Sequence, residues 1–471
     1  MDSLSGIYLL GIGVSIAILF FFIFSLWGDI TFGFLIWLFA AIFLGKEFFL
    51  ISITGVPDIY MERLVFVALL AVFIYEIWMG RGGILPNNTI DYLMLLMLGI
   101  LLVSMSLTGF LAARADELQP FTAFLSGFLY PFFFYYFGKT MINSEQRIRI
   151  LLWSFFLLFI YLVITNYLEH FKINSLIFPK YITNPLIGIH YGRARGPFGL
   201  APVNGWFVVS LFILALFLRS KITNEGLRFF MLLLLLLSIP AIFYTYTRAV
   251  WLSFLLAPLA VFIFAKGMVF RARFLVFPLI FLLLYVSLNW QNISGAEREA
   301  GGVVQISEVQ DRIALYEATK AIFKERPIFG VGFGRFGREA NFYATGLGVR
   351  TNVAATSQHN LFFSLASEVG IIGLLPFILI LFFSLRYSWL LYRQSGEEGI
   401  ISRDLVVSFW AIMIVYIVNA SFIQTQYFPS ANAFIFLWIG TIVGLYQRRK
   451  LEEFDQELEP ARPGEPVHLR V

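Results

Sequence analysis

Uninterrupted apolar stretches of about 20 residues, the length an α-helix needs to cross a hydrocarbon core, recur along almost the whole of this chain. That repetition constrains the fold more than any other feature. A bilayer interior offers no partner for backbone polar groups, so a spanning segment must be a helix or a strand of a closed barrel. Barrel strands alternate apolar and polar residues, and these stretches do not. The chain is 59% hydrophobic and only 13% charged over 471 residues, whereas soluble domains carry roughly a quarter charged residues. The expected fold is an all-α integral membrane protein with 12–14 transmembrane helices, beginning with Ile7–Trp27 and Ile30–Thr54, including Phe274–Trp290 and Asn360–Leu385, and ending with Ala431–Tyr446. Ile30–Thr54 contains Lys46 and Glu47, so it is expected to be shorter than drawn or broken.

Lysine and arginine in the short loops set orientation, because cytoplasmic loops carry the excess. Lys139, Arg147 and Arg149 share one loop, and comparable clusters follow at Arg219–Arg228, Lys266–Arg273, Arg386–Arg403 and Arg448–Lys450, each separated by two spans. These loops are assigned to the cytoplasm. The N-terminus has no Lys or Arg before Lys46, which argues against a cleaved signal peptide and permits an outside N-terminus. The expected organisation is N-terminal transmembrane helices over 1–290 with an outer loop near 169–198, a large outer loop over 291–358 containing an amphipathic helix, C-terminal transmembrane helices over 359–447, and a cytoplasmic tail over 448–471. From Leu451 on, this tail is rich in Glu and Pro and reads as disordered. Nearly as many Lys and Arg fall in outer loops as in cytoplasmic ones. The modest net charge of +5 therefore conceals a second cationic surface.

Several chemistries are excluded by composition. Without cysteine there is no disulfide framework, thiolate metal site or cysteine nucleophile, and four histidines leave little for an imidazole site. No Asp-x-Asp occurs and the loops lack a dense carboxylate cluster, so a metal site is not expected. Nothing implies a cofactor or a nucleic acid. What remains is arginine. Arg248 occupies a loop of about four residues between two apolar stretches, where it is either snorkelling to headgroups or binding an anion with its fork of donors. Arg193 and Arg195 lie among Gly192, Gly196, Pro197 and Gly199, where they contact headgroups or where exposed backbone N–H groups could help receive an anion. Arg312 lies in the amphipathic stretch Glu308–Phe323, whose Val309, Ile313, Tyr316, Ala321 and Phe323 fall near one face; it is either a partner of Glu308 or turned toward the membrane.

His359 stands at the outer mouth of a span, next to Asn360, and an imidazole can take a proton near neutrality. Glu368 competes with it one helical region deeper, and His190 lies near the paired arginines. GVGFG at 330–334 superficially suggests a nucleotide loop, but it follows a helical pattern and Pro327 where a strand is required. A tight turn returning the chain to the membrane is the better account.

In their order, RARGPFGLAPVNGW, TYTRAVWLS, the run from Arg312 through ALYEATKAI and KERPIFGVGFGRF, and SQHNLFFSLASEVGIIGLLPF resemble the O-antigen ligase and Wzy-type polymerase superfamily. The resemblance is good from Gly192 to Leu385 and elsewhere rests on the hydropathy profile. It implies a GT-C-like glycosyltransferase of the bacterial inner membrane, with a polyprenyl-diphosphate-linked glycan as donor on the periplasmic side. The acceptor is lipid A core for a ligase and another lipid-linked repeat for a polymerase. It further implies diphosphate binding at Arg248 and Arg312, bordered by Arg193 and Arg195, and an acceptor base at His359. Ligases are drawn with both ends in the cytoplasm, which departs from the N-terminal parity above. A transporter is a third reading, weakened because no paired short segments or internal repeat are visible and ionisable groups collect at one interface.

Overall fold

The computed structural model describes residues 29–45, 50–51, 58–111, 119–265, 306–346 and 358–458, with isolated positions between 280 and 288. The predicted span Ile7–Trp27 and the N-terminal parity lie outside these residues, as does most of Phe274–Trp290. The described chain is helical apart from one two-residue antiparallel pair, Leu50–Ile51 with Ile59–Tyr60. Its helices are α1 (Thr31–Phe43), α2 (Met61–Trp78), α3 (Thr89–Thr108), α4 (Pro120–Phe124), α5 (Tyr130–Met141), α6 (Glu145–His170), α7 (Ala201–Ser220), α8 (Glu225–Phe243), α9 (Arg248–Phe264), α10 (Ile306–Glu325), α11 (Phe336–Gly346), α12 (Leu361–Glu368), α13 (Gly370–Gln394), α14 (Arg403–Ala420) and α15 (Pro429–Leu458). Among the described residues seven, α3, α6, α7, α8, α13, α14 and α15, are long and apolar enough to cross a membrane; α1 and α9 are shorter apolar helices. This is an all-α polytopic membrane protein.

The helices sort into a centre and a lipid-facing rim. The apolar windows of α7 and α15 are 89% buried, that of α3 only 33%. Close approach at the centre depends on glycine. Gly138 on α5 and Gly440 and Gly444 on α15 lie against backbone carbonyls of the facing helix: a methyl group at Gly440 would run into the carbonyl of Tyr135, and one at Gly444 into that of Lys139. Small residues spaced four apart let membrane helices pack backbone to backbone. Gly440→Ala is therefore expected to push α15 from α5 and cost on the order of 1–3 kcal/mol, read as a lower midpoint in thermal unfolding of the purified protein.

Polar contacts mark two ends of the bundle. At the end with the basic loops, Asp29 pairs with Arg147 at 3.3 Å, and Arg448 donates to the carbonyls of Lys139 (3.2 Å) and Thr140 (2.8 Å). At the other end, Arg335 donates to the carbonyls of Gly109 (2.9 Å) and Leu111 (3.0 Å), so the chain after α10 covers the exit of α3.

The helix within Ile30–Thr54 stops at Phe43, before Lys46, shorter than drawn as expected. Other local readings need correction. Asn360–Leu385 is not one span: α12 ends at Glu368 and α13 begins at Gly370, whose φ of 67° no helix tolerates. The break is filled by the outer loop, since Val331 N–H donates to Ser367 O (2.9 Å), Gly332 N–H to Glu368 O (2.8 Å) and Ile371 N–H to Pro327 O (2.9 Å). Gly330, Gly332 and Gly334 all have positive φ, the tight turn expected of GVGFG. The helix in the large loop exists, but its buried face is Ala314, Leu315, Ala318, Thr319 and Ile322, while Ile313 and Tyr316 are exposed. Leu315, Ala318 and Ile322 pack there with Phe336 and Ala340 of α11. Finally, α15 continues to Leu458, through residues read as disordered tail, because Leu451, Glu452, Glu453 and Gln456 are good helix formers and a preceding helix needs no new nucleus; residues 459–471 lie outside the description.

Candidate active site

The arginines foreseen as a cluster are placed differently from one another. Arg248 is the first residue of α9 and exposed, following a sharp turn in which Tyr246 has φ 45°. Arg193 is buried behind that turn: its Nε donates to Thr245 O (2.9 Å) and its Nη2 to Thr247 Oγ1 (2.6 Å), while Ala194 N–H donates to Tyr244 O (2.9 Å). The RARG segment and the Arg248 turn are thereby one unit.

Arg195 is 1% exposed, and its guanidinium donates to the carbonyls of Ile187 (2.5 Å), Ile182 (2.8 Å) and Asn184 (2.7 Å). It holds the outer loop in shape. The N–H groups beside it, which the glycine pattern suggested for an external anion, are taken by the protein's own carboxylate: Arg195 N–H donates to Glu169 Oε1 (3.3 Å) and Gly196 N–H to Oε2 (2.8 Å). Beneath lies a buried amide pair, with Asn204 Nδ2 donating to Asn166 Oδ1 (2.7 Å) and Ala194 O (3.1 Å), and Asn166 Nδ2 donating to Ala241 O (3.1 Å). Glu169, Asn166 and Asn204 were not foreseen. The asparagines announce themselves only as amides inside apolar stretches, where an unsatisfied polar group is costly.

Arg312 is exposed on α10, and His359 is exposed just before α12 with φ 52°. Tyr316, one turn beyond Arg312, meets the ring of Phe363, one turn beyond His359, at 5.5 Å between centroids. The two foreseen residues therefore flank one helix–helix contact. Asn360 serves structure: its Oδ1 caps α12 by accepting from Phe363 N–H (3.0 Å), and its Nδ2 donates to Ser421 O (2.9 Å) just past α14. Since α9 packs along α14, with Asn419 Nδ2 donating to Ser253 Oγ (3.3 Å), the start of α9 and the His359 turn both border the C-terminal end of α14. His190 has φ 66° and its carbonyl accepts from Arg193 N–H (3.2 Å), so it belongs to the RARG side.

Glu368 closes α12, outside the span that starts at Gly370, and is 2% exposed. Burial pushes its carboxyl up to about 7, opposed by the amides of Gly334 and Phe336 and by the side chains of Gln426 and Ser364. Among the described residues its Oε2 has no hydrogen-bond partner. Around it Gln424 Nε2 donates to Ser364 Oγ (2.9 Å), and Gln358 Nε2 donates to Ser367 Oγ. The polar layer below His359 is thus anchored in the break between α12 and α13.

The fold is that of a polytopic membrane protein, and the candidate functional groups are arginines, a histidine and a buried carboxyl. Residues 232–378 match the family model described as O-antigen ligase, in agreement with the resemblance noted in the sequence. Members of that family are enzymes acting on lipid-linked glycans in surface polysaccharide biosynthesis. The matched stretch holds Arg248, Arg312, His359, Asn360 and Glu368, but not Arg193, Arg195 or His190. No curated protein matches the chain at a significant level.

Proposed function

We propose that the protein transfers a glycan from a polyprenyl-diphosphate carrier to an acceptor hydroxyl on the periplasmic side of the bacterial inner membrane, as an O-antigen ligase does. The observation that carries this reading is the pairing of an exposed Arg248, held up by the buried Arg193 turn, with an exposed His359 at the same end of the bundle. A diphosphate at a membrane interface needs fixed cations, and guanidinium keeps its charge in a low-dielectric setting. The first turn of α9 adds the positive end of a helix dipole to Arg248. An acceptor hydroxyl needs a base on the aqueous side.

In this mechanism Arg248 and Arg312 hold the diphosphate. His359 takes the acceptor proton as the acceptor oxygen bonds to the anomeric carbon, and the bond from that carbon to the diphosphate oxygen breaks on the opposite face, inverting the centre. The leaving charge stays on the diphosphate, compensated by arginine where other enzymes use a metal. Arg193 and Arg195 contribute by positioning, since their donors already serve Thr245, Thr247 and the loop carbonyls. A Wzy-type polymerase shares all donor steps and differs in acceptor.

The test is reconstitution. Protein in vesicles, given a polyprenyl-diphosphate-linked glycan and lipid A core, is expected to yield glycosylated lipid with activity unchanged by EDTA, and His359→Ala is expected to remove it. Longer carrier-linked chains in place of glycosylated lipid A core identify a polymerase. Loss of activity in EDTA overturns the arginine-only account, and full activity of His359→Ala overturns the base.

A further inference from the structure

We infer that the outer loop between α6 and the RARG turn lies in the bilayer leaflet at the Arg248 end of the bundle, with its apolar side chains among the lipids. Between residues 171 and 191 the most exposed large apolar groups are Phe171 (60%), Leu176 (69%), Phe178 (68%), Leu186 (90%) and Ile189 (63%). Single exposed apolar residues are ordinary on a soluble surface. Five in one loop, on a backbone that is held in place, are not.

The backbone is held from several sides. Arg195 ties the carbonyls of Ile182, Asn184 and Ile187. Tyr181 OH donates to Ile42 O (3.1 Å) and Pro197 O (2.7 Å), and Ile189 N–H donates to Gly199 O (2.8 Å). The loop already has a small core of its own, in which Ile177 and Ile182 are buried. Its remaining apolar side chains are thus presented outward by a fixed scaffold.

Lipid is the occupant to which the surroundings point. The patch continues along α6, a helix long and apolar enough to cross a membrane, where Leu157 and Ile164 are also exposed. Residues 171–191 contain Lys172 and Lys180 and no Asp or Glu, the mix of apolar, aromatic and basic groups that settles at a headgroup boundary. An aqueous domain of another protein would meet the flank of a transmembrane helix here. Because Arg195 and Arg193 join this loop to the Arg248 turn, immersion also fixes the depth of Arg248 at the level of lipid phosphates.

The absence of cysteine makes the experiment direct. Leu186→Cys and Phe178→Cys each carry a unique thiol, labelled with an environment-sensitive dye in the full chain and reconstituted in phosphatidylethanolamine–phosphatidylglycerol vesicles. A label at Glu398→Cys, exposed at the basic end of the bundle, is the aqueous control. The loop labels are expected to emit blue-shifted and to be quenched by acyl-brominated lipid but not by iodide, the control the reverse. Emission as in water with quenching by iodide overturns the inference. So does shielding from both quenchers, which means that protein and not lipid covers the patch. Neither result bears on glycan transfer.

Discussion

Arg248→Ala is expected to lower glycan transfer on the order of 10²–10³-fold, mainly in kcat, while leaving the amount of protein in the membrane unchanged. The side chain is exposed, so its removal opens no cavity. In the proposed mechanism the charge on the departing diphosphate grows along the reaction, so the loss is expected in kcat and not in KM. Arg248→Lys keeps a point charge but not the planar fork and should recover only part of the rate. Arg193→Ala acts one step removed, by releasing Thr245 O and Thr247 Oγ1 and letting the turn at Tyr246 relax. It should therefore lower thermal stability as well as rate, a signature that Arg248→Ala lacks. An Arg248→Ala protein with undiminished kcat in the reconstituted assay would remove this arginine from the donor site.

The largest stability effect is expected far from that site. Lys139 and Asp91 form an ion pair of 2.5 Å with side chains 2% and 1% exposed. Lys139 Nζ also donates to Pro86 O (3.1 Å), and Asp91 Oδ2 accepts from Asn88 N–H (2.8 Å) within the N-terminal capping box of α3. The pair therefore clamps the start of α3 to the end of α5, beside α15. Lys139→Ala strands a carboxylate in a dry site and should cost on the order of 3–5 kcal/mol, because desolvation of the survivor is no longer offset. Neutralising both partners, as Asp91→Asn with Lys139→Met, removes the charge that needs a partner and should recover most of that loss. Thermal unfolding of the three purified proteins decides it. If the double variant is no more stable than Lys139→Ala, the pair's charge is not what the fold depends on.

Residues whose meaning is local were legible in the sequence. Arg248 was conspicuous because a loop of about four residues between two apolar stretches leaves a charge few places to go. The glycines of GVGFG read correctly as a turn, since positive φ is a property of single residues. Residues whose meaning depends on a distant partner were misread or unseen. Lys139 served as an orientation signal and is in fact buried against Asp91. The glycine-rich backbone at Arg195 looked open to an anion, and Glu169 fills it. The stripe of Ile313 and Tyr316 read as the apolar face of the loop helix, yet the residues that pack on α11 are Leu315, Ala318 and Ile322. The continuous hydropathy of Asn360–Leu385 concealed a break, because the loop backbone that satisfies it comes from residues 327–332.

By itself the sequence determined that this chain is a bundle of membrane helices with conspicuous arginines in its loops. Hydropathy is additive along the chain, and a bilayer accepts a backbone only when each segment satisfies its own hydrogen bonds. Only the tertiary structure decided which of those cations face outward. Arg193 and Arg195 are buried because the carbonyls and the carboxylate that hold them come from turns and helix ends elsewhere in the fold. Arg248 is left at the surface because the turn that lifts it is held by another arginine.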